Sequence, residues 1–225
     1  MTEPTLPASE IPGIKALLAQ DAIVGELAMA PPPQDPKAEN DHVMRSLFIK
    51  DVFEPDDYAR ILALPQDPEL SSRFLAHERQ LMSGYAQYMH CQSYLPALNA
   101  DSAWLIEHLR RLLEVVNRRY YHFACQRVLG TQILSLEAGQ QLDWHMGTGS
   151  GLFATRKLGL IAFLTPLDQY SGGVFEVMAS TYRGDRREQG WVGFFPAFAV
   201  TRIQAVSSGR MQVLLTWMHG PAPFC

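Results

Sequence analysis

The sequence predicts a mainly β protein with flanking helices, a helix-backed β-sandwich or jelly roll, on three observations. Helical periodicity is confined to the first half of the chain. The second half is a succession of short apolar or aromatic runs, and glycine, proline and charge clusters separate those runs. Helices first and many short strands afterwards fit a pair of sheets with helices on one outer face, whereas a parallel α/β fold would interleave the two. With 225 residues, 47% hydrophobic and 19% charged, the chain is long enough to bury one full core, and two large domains would be crowded.

Residues 11–30 carry a modest helical pattern in Ile14, Leu17, Leu18, Ile23 and Leu27. PPPQDPKAEND follows, whose prolines forbid helix and whose polar residues bury nothing. Residues 1–42 are therefore expected to form a helical extension and proline-rich linker, and 43–225 the main domain, with helical support over 54–123 and a jelly-roll core over 124–225. SLFIKDVF reads as a short strand, and Pro55 then stands where a helix can begin, ahead of Tyr58, Ile61 and Leu62. A stronger helix is expected from Ser102 to Arg118. Trp104, Leu105, Leu109, Leu112, Leu113 and Val116 repeat there at three and four residues, Asp101 can cap it, and such a stripe must pack on one face of a sheet. After Tyr121, TQILSLEAG, LGLIAFLTPL, GGVFEVMAS, GWVGFFPAFAV and MQVLLTWMHG read as strands.

Formal net charge is −4, and no stretch gathers the basic residues into the stripe a nucleic-acid groove requires. A small-molecule ligand or a protein partner is expected instead. Cys91, Cys125 and Cys225 lie far apart without a CxxC pair, which indicates neither a disulfide framework nor a zinc knuckle. The start MTEPTLPASEIPG is acidic and proline-bearing, and no apolar run reaches membrane-spanning length. These features predict a cytoplasmic protein that does not engage a membrane.

Several segments in order carry a resemblance: NRRYYHF at Asn117, EAGQQLDWHMG at Glu137, RKLGLIAFL at Arg156, YSGGVFEV at Tyr170, FFPAFAVTRIQAV at Phe194 and SSGRMQVLLTWMHGPAPF at Ser207. Together they resemble the prolyl/lysyl-hydroxylase-type branch of the iron(II)/2-oxoglutarate oxygenases. The resemblance implies a double-stranded β-helix, with iron held by two histidines and a carboxylate and with 2-oxoglutarate chelating the metal. In the family the first histidine and the carboxylate form HxD, since only residues i and i+2 of a strand share a face. A second histidine comes from a later strand, and an arginine forks onto the distal carboxylate of 2-oxoglutarate.

Position by position, the resemblance places the first metal histidine at His145, which is present. Its carboxylate falls on Gly147, which has no side chain to donate, and its second histidine on Thr201, a poor iron(II) ligand. The 2-oxoglutarate positions fall on Leu136, where the family has tyrosine, and on Met211, where it has arginine. Arg210 is one place early, and a one-residue slip turns a strand side chain to the opposite face. The expectation is a catalytically degenerate protein, a pseudoenzyme with a retained ligand- or partner-binding cavity and no high-affinity cofactor. The alternative is a divergent iron-dependent oxygenase or hydroxylase that uses Fe(II) and 2-oxoglutarate at a non-standard site, for which Asp143, on the strand face of His145, is the candidate second ligand. A halogenase reading, in which a small residue makes room for chloride, explains Gly147 alone. His219, His108 and His122 read as packing residues, His42, His77 and His90 have no metal spacing, and Arg183, Arg186 and Arg187 read as a solvated turn. Trp191, Phe194, Phe195, Phe198 and Trp217 read as sheet core, with Trp144 at the pocket mouth.

Overall fold

The computed structural model describes residues 46–178 and 188–224. The helical pattern at 11–30, the proline-rich linker, His42, the Arg183, Arg186 and Arg187 turn and Cys225 lie outside the described residues. In chain order the elements are β1 (Leu47–Lys50), α1 (Pro55–Leu62), α2 (Pro68–Leu81), α3 (Tyr85–Tyr88), β2 (Met89–His90), β3 (Gln92–Tyr94), α4 (Ala100–Val116), β4 (Arg127–Glu137), β5 (Gln141–Met146), β6 (Arg156–Phe163), β7 (Tyr170–Gly172), β8 (Phe175–Val177), β9 (Trp191–Pro196), β10 (Val200–Ile203) and β11 (Val206–His219).

The strands form two antiparallel sheets. A seven-stranded sheet runs β1-β9-β6-β11-β4-β3, with β7 on the start of β11, and a four-stranded sheet runs β2-β5-β10-β8. Alternation along the large sheet divides the core in two. Leu158, Leu160, Val192, Phe194, Leu214 and Met218 face the helices with Leu105, Leu109, Leu112 and Val116 of α4. Ile161, Phe163, Phe195, Val213, Leu215 and Trp217 face the small sheet. Two-sided burial of this kind makes β6 apolar from Leu158 to Phe163 rather than alternating.

The long helix packs on the outer sheet face as its stripe predicts, but its cap differs. Asn99, not Asp101, accepts the backbone N–H groups of Asp101 and Ser102, and Ser102 Oγ in turn accepts from the Asn99 N–H. A capping box thus starts the helix earlier, and a π-turn over Asn117–Tyr121 ends it. Helix α2 has no counterpart in the sequence reading. Its buried residues are Ser71 and Glu78, so no apolar stripe announces it, and Asp67 caps it through the Leu70 N–H at 2.8 Å.

Candidate functional site

Strand pairing sets four of the sequence-selected residues in two pairs, one in each sheet. On β10, Thr201 stands directly across from His145 of β5, and Leu136 of β4 pairs with Met211 of β11. Arg210, in register with Glu137, is turned out to solvent and ion-paired to it at 2.7 Å, as a one-residue slip requires. Met211 and Leu136 are buried between the sheets.

His145 is tightly dressed. Its ring stacks on Tyr88 at 4.5 Å with an interplanar angle of 9°, and its Nδ1–H donates to the Asp143 carbonyl at 2.8 Å. Burial lowers its pKa below the ordinary imidazole value, helped by the positive charge of Arg156. Hydrogen bonding to the backbone of Asp143 and Thr201 opposes the shift. The Asp143 carboxylate accepts from the Trp144 N–H at 2.8 Å.

At Gly147 the space a side chain would use is taken. A Cβ there would lie 2.0 Å from Cη2 and 2.5 Å from Cζ3 of Trp217. The same indole presses on Gly159, whose Cβ would fall 2.7 Å from Cζ3, and Phe195 meets it edge-on at 5.5 Å. Only residues without a side chain tolerate so close a ring.

Beside the indole lies a buried ion pair. Arg156, at the head of β6, points its guanidinium inward. Nη1 donates to the Gly147 carbonyl at 3.1 Å and Nη2 to Glu78 Oε1 at 3.1 Å, while the cation lies 4.3 Å from the Phe153 ring centroid and 4.8 Å from that of Trp217. Gln132, itself bonded by Ser93, reaches the same Glu78 oxygen at 3.4 Å. Burial raises the Glu78 carboxyl, and Arg156 offsets only part of that. Glu78 Oε2, Arg156 Nε and Trp217 Nε1 are buried without a partner, so the network is incompletely satisfied.

No protein-family model matches the sequence, and no curated protein matches it. Solved structures do. A prolyl-4-hydroxylase of Pseudomonas putida aligns at 12% identity and a TM-score of 0.56, covering 81% of this chain and 97% of that one. The viral collagen prolyl hydroxylase of Paramecium Bursaria Chlorella virus-1, in its 2OG complex, aligns at 10% identity and 0.56 over 78% and 96%. An oxidoreductase of the 2OG-Fe(II) oxygenase family from Burkholderia pseudomallei aligns at 12% and 0.53 over 94% and 92%. The chain has the fold of the 2OG-Fe(II) oxygenases.

In the oxygenase fold, iron(II) of the two-histidine, one-carboxylate type needs three donors converging on one point. The residues here do not fit it. At the positions the resemblance selects, His145 offers one imidazole and Thr201 a neutral hydroxyl, and the space for a side chain at Gly147 is taken by the Trp217 ring. Among the described residues no group of three or more His, Cys, Asp or Glu side chains could hold a metal ion. Aromatic rings pack in a row at this level of the interior, Phe163–Phe175 at 6.3 Å, Phe175–Phe195 at 5.5 Å and Phe195–Trp217 at 5.5 Å.

Sequence reasoning singled out His145, Gly147, Thr201, Leu136 and Met211, of which the strands set Thr201 opposite His145 and Met211 opposite Leu136. It missed Glu78, Gln132 and Tyr88, and it treated Trp217 as general sheet core. Arg156 had a signal: a cation opening an otherwise apolar strand. Of the remaining described histidines, His219 and His108 are packing residues, whereas His122, expected to pack, is exposed and ends the π-turn with a left-handed backbone at φ 57°, and His77 and His90 are exposed as well. His219 is buried against Thr155 Oγ1 at 2.9 Å, with its pKa pushed down to about 4 chiefly by burial. His108 Nε2 bonds the Val52 carbonyl at 3.1 Å. Trp144 lies under Arg202, 4.5 Å from ring centroid to cation, and Arg202 is ion-paired to Glu176.

Proposed function

We propose that this chain is a catalytically degenerate oxygenase-fold protein, a pseudoenzyme that binds a small-molecule ligand or a protein partner instead of oxidising a substrate. The observation that carries the reading is the Trp217 indole against the α-carbon of Gly147. An aspartate at that place could not stand without displacing a buried tryptophan. Arg156 adds a second obstacle, because a guanidinium is permanently charged and its bond to the Gly147 carbonyl holds positive charge beside the position that the resemblance gives to the metal-binding carboxylate. On the co-substrate side, Met211 has no charge for a carboxylate and Arg210 is committed to Glu137 on the other face. Neither iron(II) nor 2-oxoglutarate is expected to bind with high affinity.

Binding is assigned to the retained jelly-roll cavity, beside the row of aromatic rings formed by Phe163, Phe175, Phe195 and Trp217. The dispersed cysteines and the absence of a basic stripe favour a reducing cytoplasm and a partner that is neither nucleic acid nor membrane. The test is metal content after purification with iron(II), followed by 2-oxoglutarate turnover to succinate; neither stoichiometric iron nor succinate is expected. Tight iron binding that disappears in the double variant His145→Ala, Asp143→Ala would overturn the reading in favour of a divergent oxygenase built on that pair. Rebuilding the site needs more than Gly147→Asp, Thr201→His and Met211→Arg, because Trp217 must also be made small.

A further inference from the structure

A second place on the molecule has the makings of a ligand site, and it lies on the helix side of the large sheet, apart from the space between the sheets. Where β1 ends and α1 begins, a cleft of about 460 Å³ opens among Asp51, Phe53, Glu54, Tyr58, Gln189 and Gly190. Its charge is acidic. Glu54 and Asp57 are occupied in the capping box of α1, where each carboxylate accepts the other's backbone N–H. Asp51 is different: its carboxylate makes no hydrogen bond or ion pair among the described residues.

Asp51 is also held in an unusual conformation. Its φ is 57°, in the left-handed region, and its N–H donates to the Gly190 carbonyl at 2.9 Å. A non-glycine residue in that region costs roughly 1 kcal/mol and persists where the surrounding structure holds it. The result is convergence. A Cβ built on Gly190 would lie 3.7 Å from Asp51 Oδ1 and 3.9 Å from both the Tyr58 hydroxyl and Lys50 Cε, so carboxylate, phenol and the lysine's hydrocarbon stem all approach the same glycine. The Tyr58 side chain is 5% exposed, and its hydroxyl has no hydrogen-bond partner. Burial, then the charges of Asp51 and Asp57, push the phenol pKa up to about 12, so it stays protonated. The nearest cation, Lys50, is engaged with Glu188 at 3.8 Å and with the Trp191 ring.

We propose that this cleft binds a primary alkylammonium group, with Asp51 as its counter-ion and the Tyr58 oxygen as a hydrogen-bond acceptor. An ammonium brings three donors that suit acceptors lying in different directions, whereas a guanidinium favours a planar, two-oxygen fork. Anions are repelled by the two carboxylates. A divalent cation of the hard type wants six or more oxygens, and the Phe53 and Pro55 walls offer hydrocarbon instead, which suits an alkyl chain.

The experiment is an amide chemical-shift titration of the full chain with n-butylammonium chloride at constant ionic strength, with n-butanol as the neutral control. Saturable shifts are expected at Asp51 and Gly190, with butanol weaker by about tenfold. Asp51→Asn, which keeps the left-handed backbone, is expected to weaken butylammonium about tenfold, and Tyr58→Phe severalfold. An Nα-acetyl-lysine methylamide arm separates the sources: tighter binding than butylammonium marks a lysine side chain of a partner protein, equal or weaker binding a free amine. No saturation at Gly190, butanol binding as tightly as butylammonium, or an Asp51→Asn variant with unchanged affinity would each overturn the proposal.

Discussion

A single methyl group at residue 147 is the smallest perturbation that probes the core of the candidate site. In Gly147→Ala the new Cβ would lie 2.0, 2.5 and 2.8 Å from Cη2, Cζ3 and Cζ2 of Trp217. Carbon atoms in good contact stand about 3.5–4 Å apart, so the indole must retreat by well over 1 Å. It has little room, since Gly159 and Phe195 confine the same ring. Overpacking of a buried core costs about 1–3 kcal/mol, and this contact belongs at the upper end, about 3 kcal/mol. For a domain of this size that lowers Tm by roughly 6–12 °C. Trp217→Phe, which withdraws the atoms that collide, is expected to cost about 2 kcal/mol alone through the void it leaves. If the collision is the cause, the double variant costs about 2–3 kcal/mol instead of the sum of about 5. Urea denaturation, with midpoint and slope both fitted, measures all three. Costs that add to within about 0.5 kcal/mol would refute the steric argument.

Other outcomes follow from the same geometry. Arg156→Met and Glu78→Gln are each expected to destabilise the fold by about 3–5 kcal/mol by leaving a buried partner uncompensated, while the double variant recovers much of that loss; a double variant as unstable as the sum would show that the two are not coupled. His145 and His219 have folded pKa values below their unfolded ones, so the unfolded chain binds more protons in the window between. Stability should therefore rise with pH from about 4 to about 6.5, and His219→Gln should flatten that rise in a series of thermal melts. Asn99→Ala is expected to cost about 1 kcal/mol as a lost helix cap, and Asp101→Ala clearly less; the reverse order in chemical denaturation would restore Asp101 as the cap.

Much of the architecture was legible because it rests on periodicity. The α4 stripe and the strand runs from Thr131 onward are patterns of residue type along the chain, and such patterns survive without knowledge of partners. The resemblance singled out Thr201, His145, Leu136 and Met211 by motif order alone, and the strand register sets them as two cross-strand pairs. What fills the site was not legible. Trp217 lies seventy residues beyond Gly147, and nothing local to either position announces that an indole lies against the glycine. Glu78 was hidden for a different reason: α2 buries polar residues, so the helix that delivers the carboxylate has no apolar signature.

The interlock of Gly147, Trp217, Arg156 and Glu78 also works as a ratchet. A carboxylate introduced at 147 meets the indole. Shrinking the indole first opens a void and removes one of the rings that sandwich the guanidinium, and removing the guanidinium first strands Glu78 without a counter-charge. Each single-residue step toward a metal-binding arrangement is thus expected to go through a less stable protein. The four residues are parts of one arrangement, and the route out of it requires several substitutions at once.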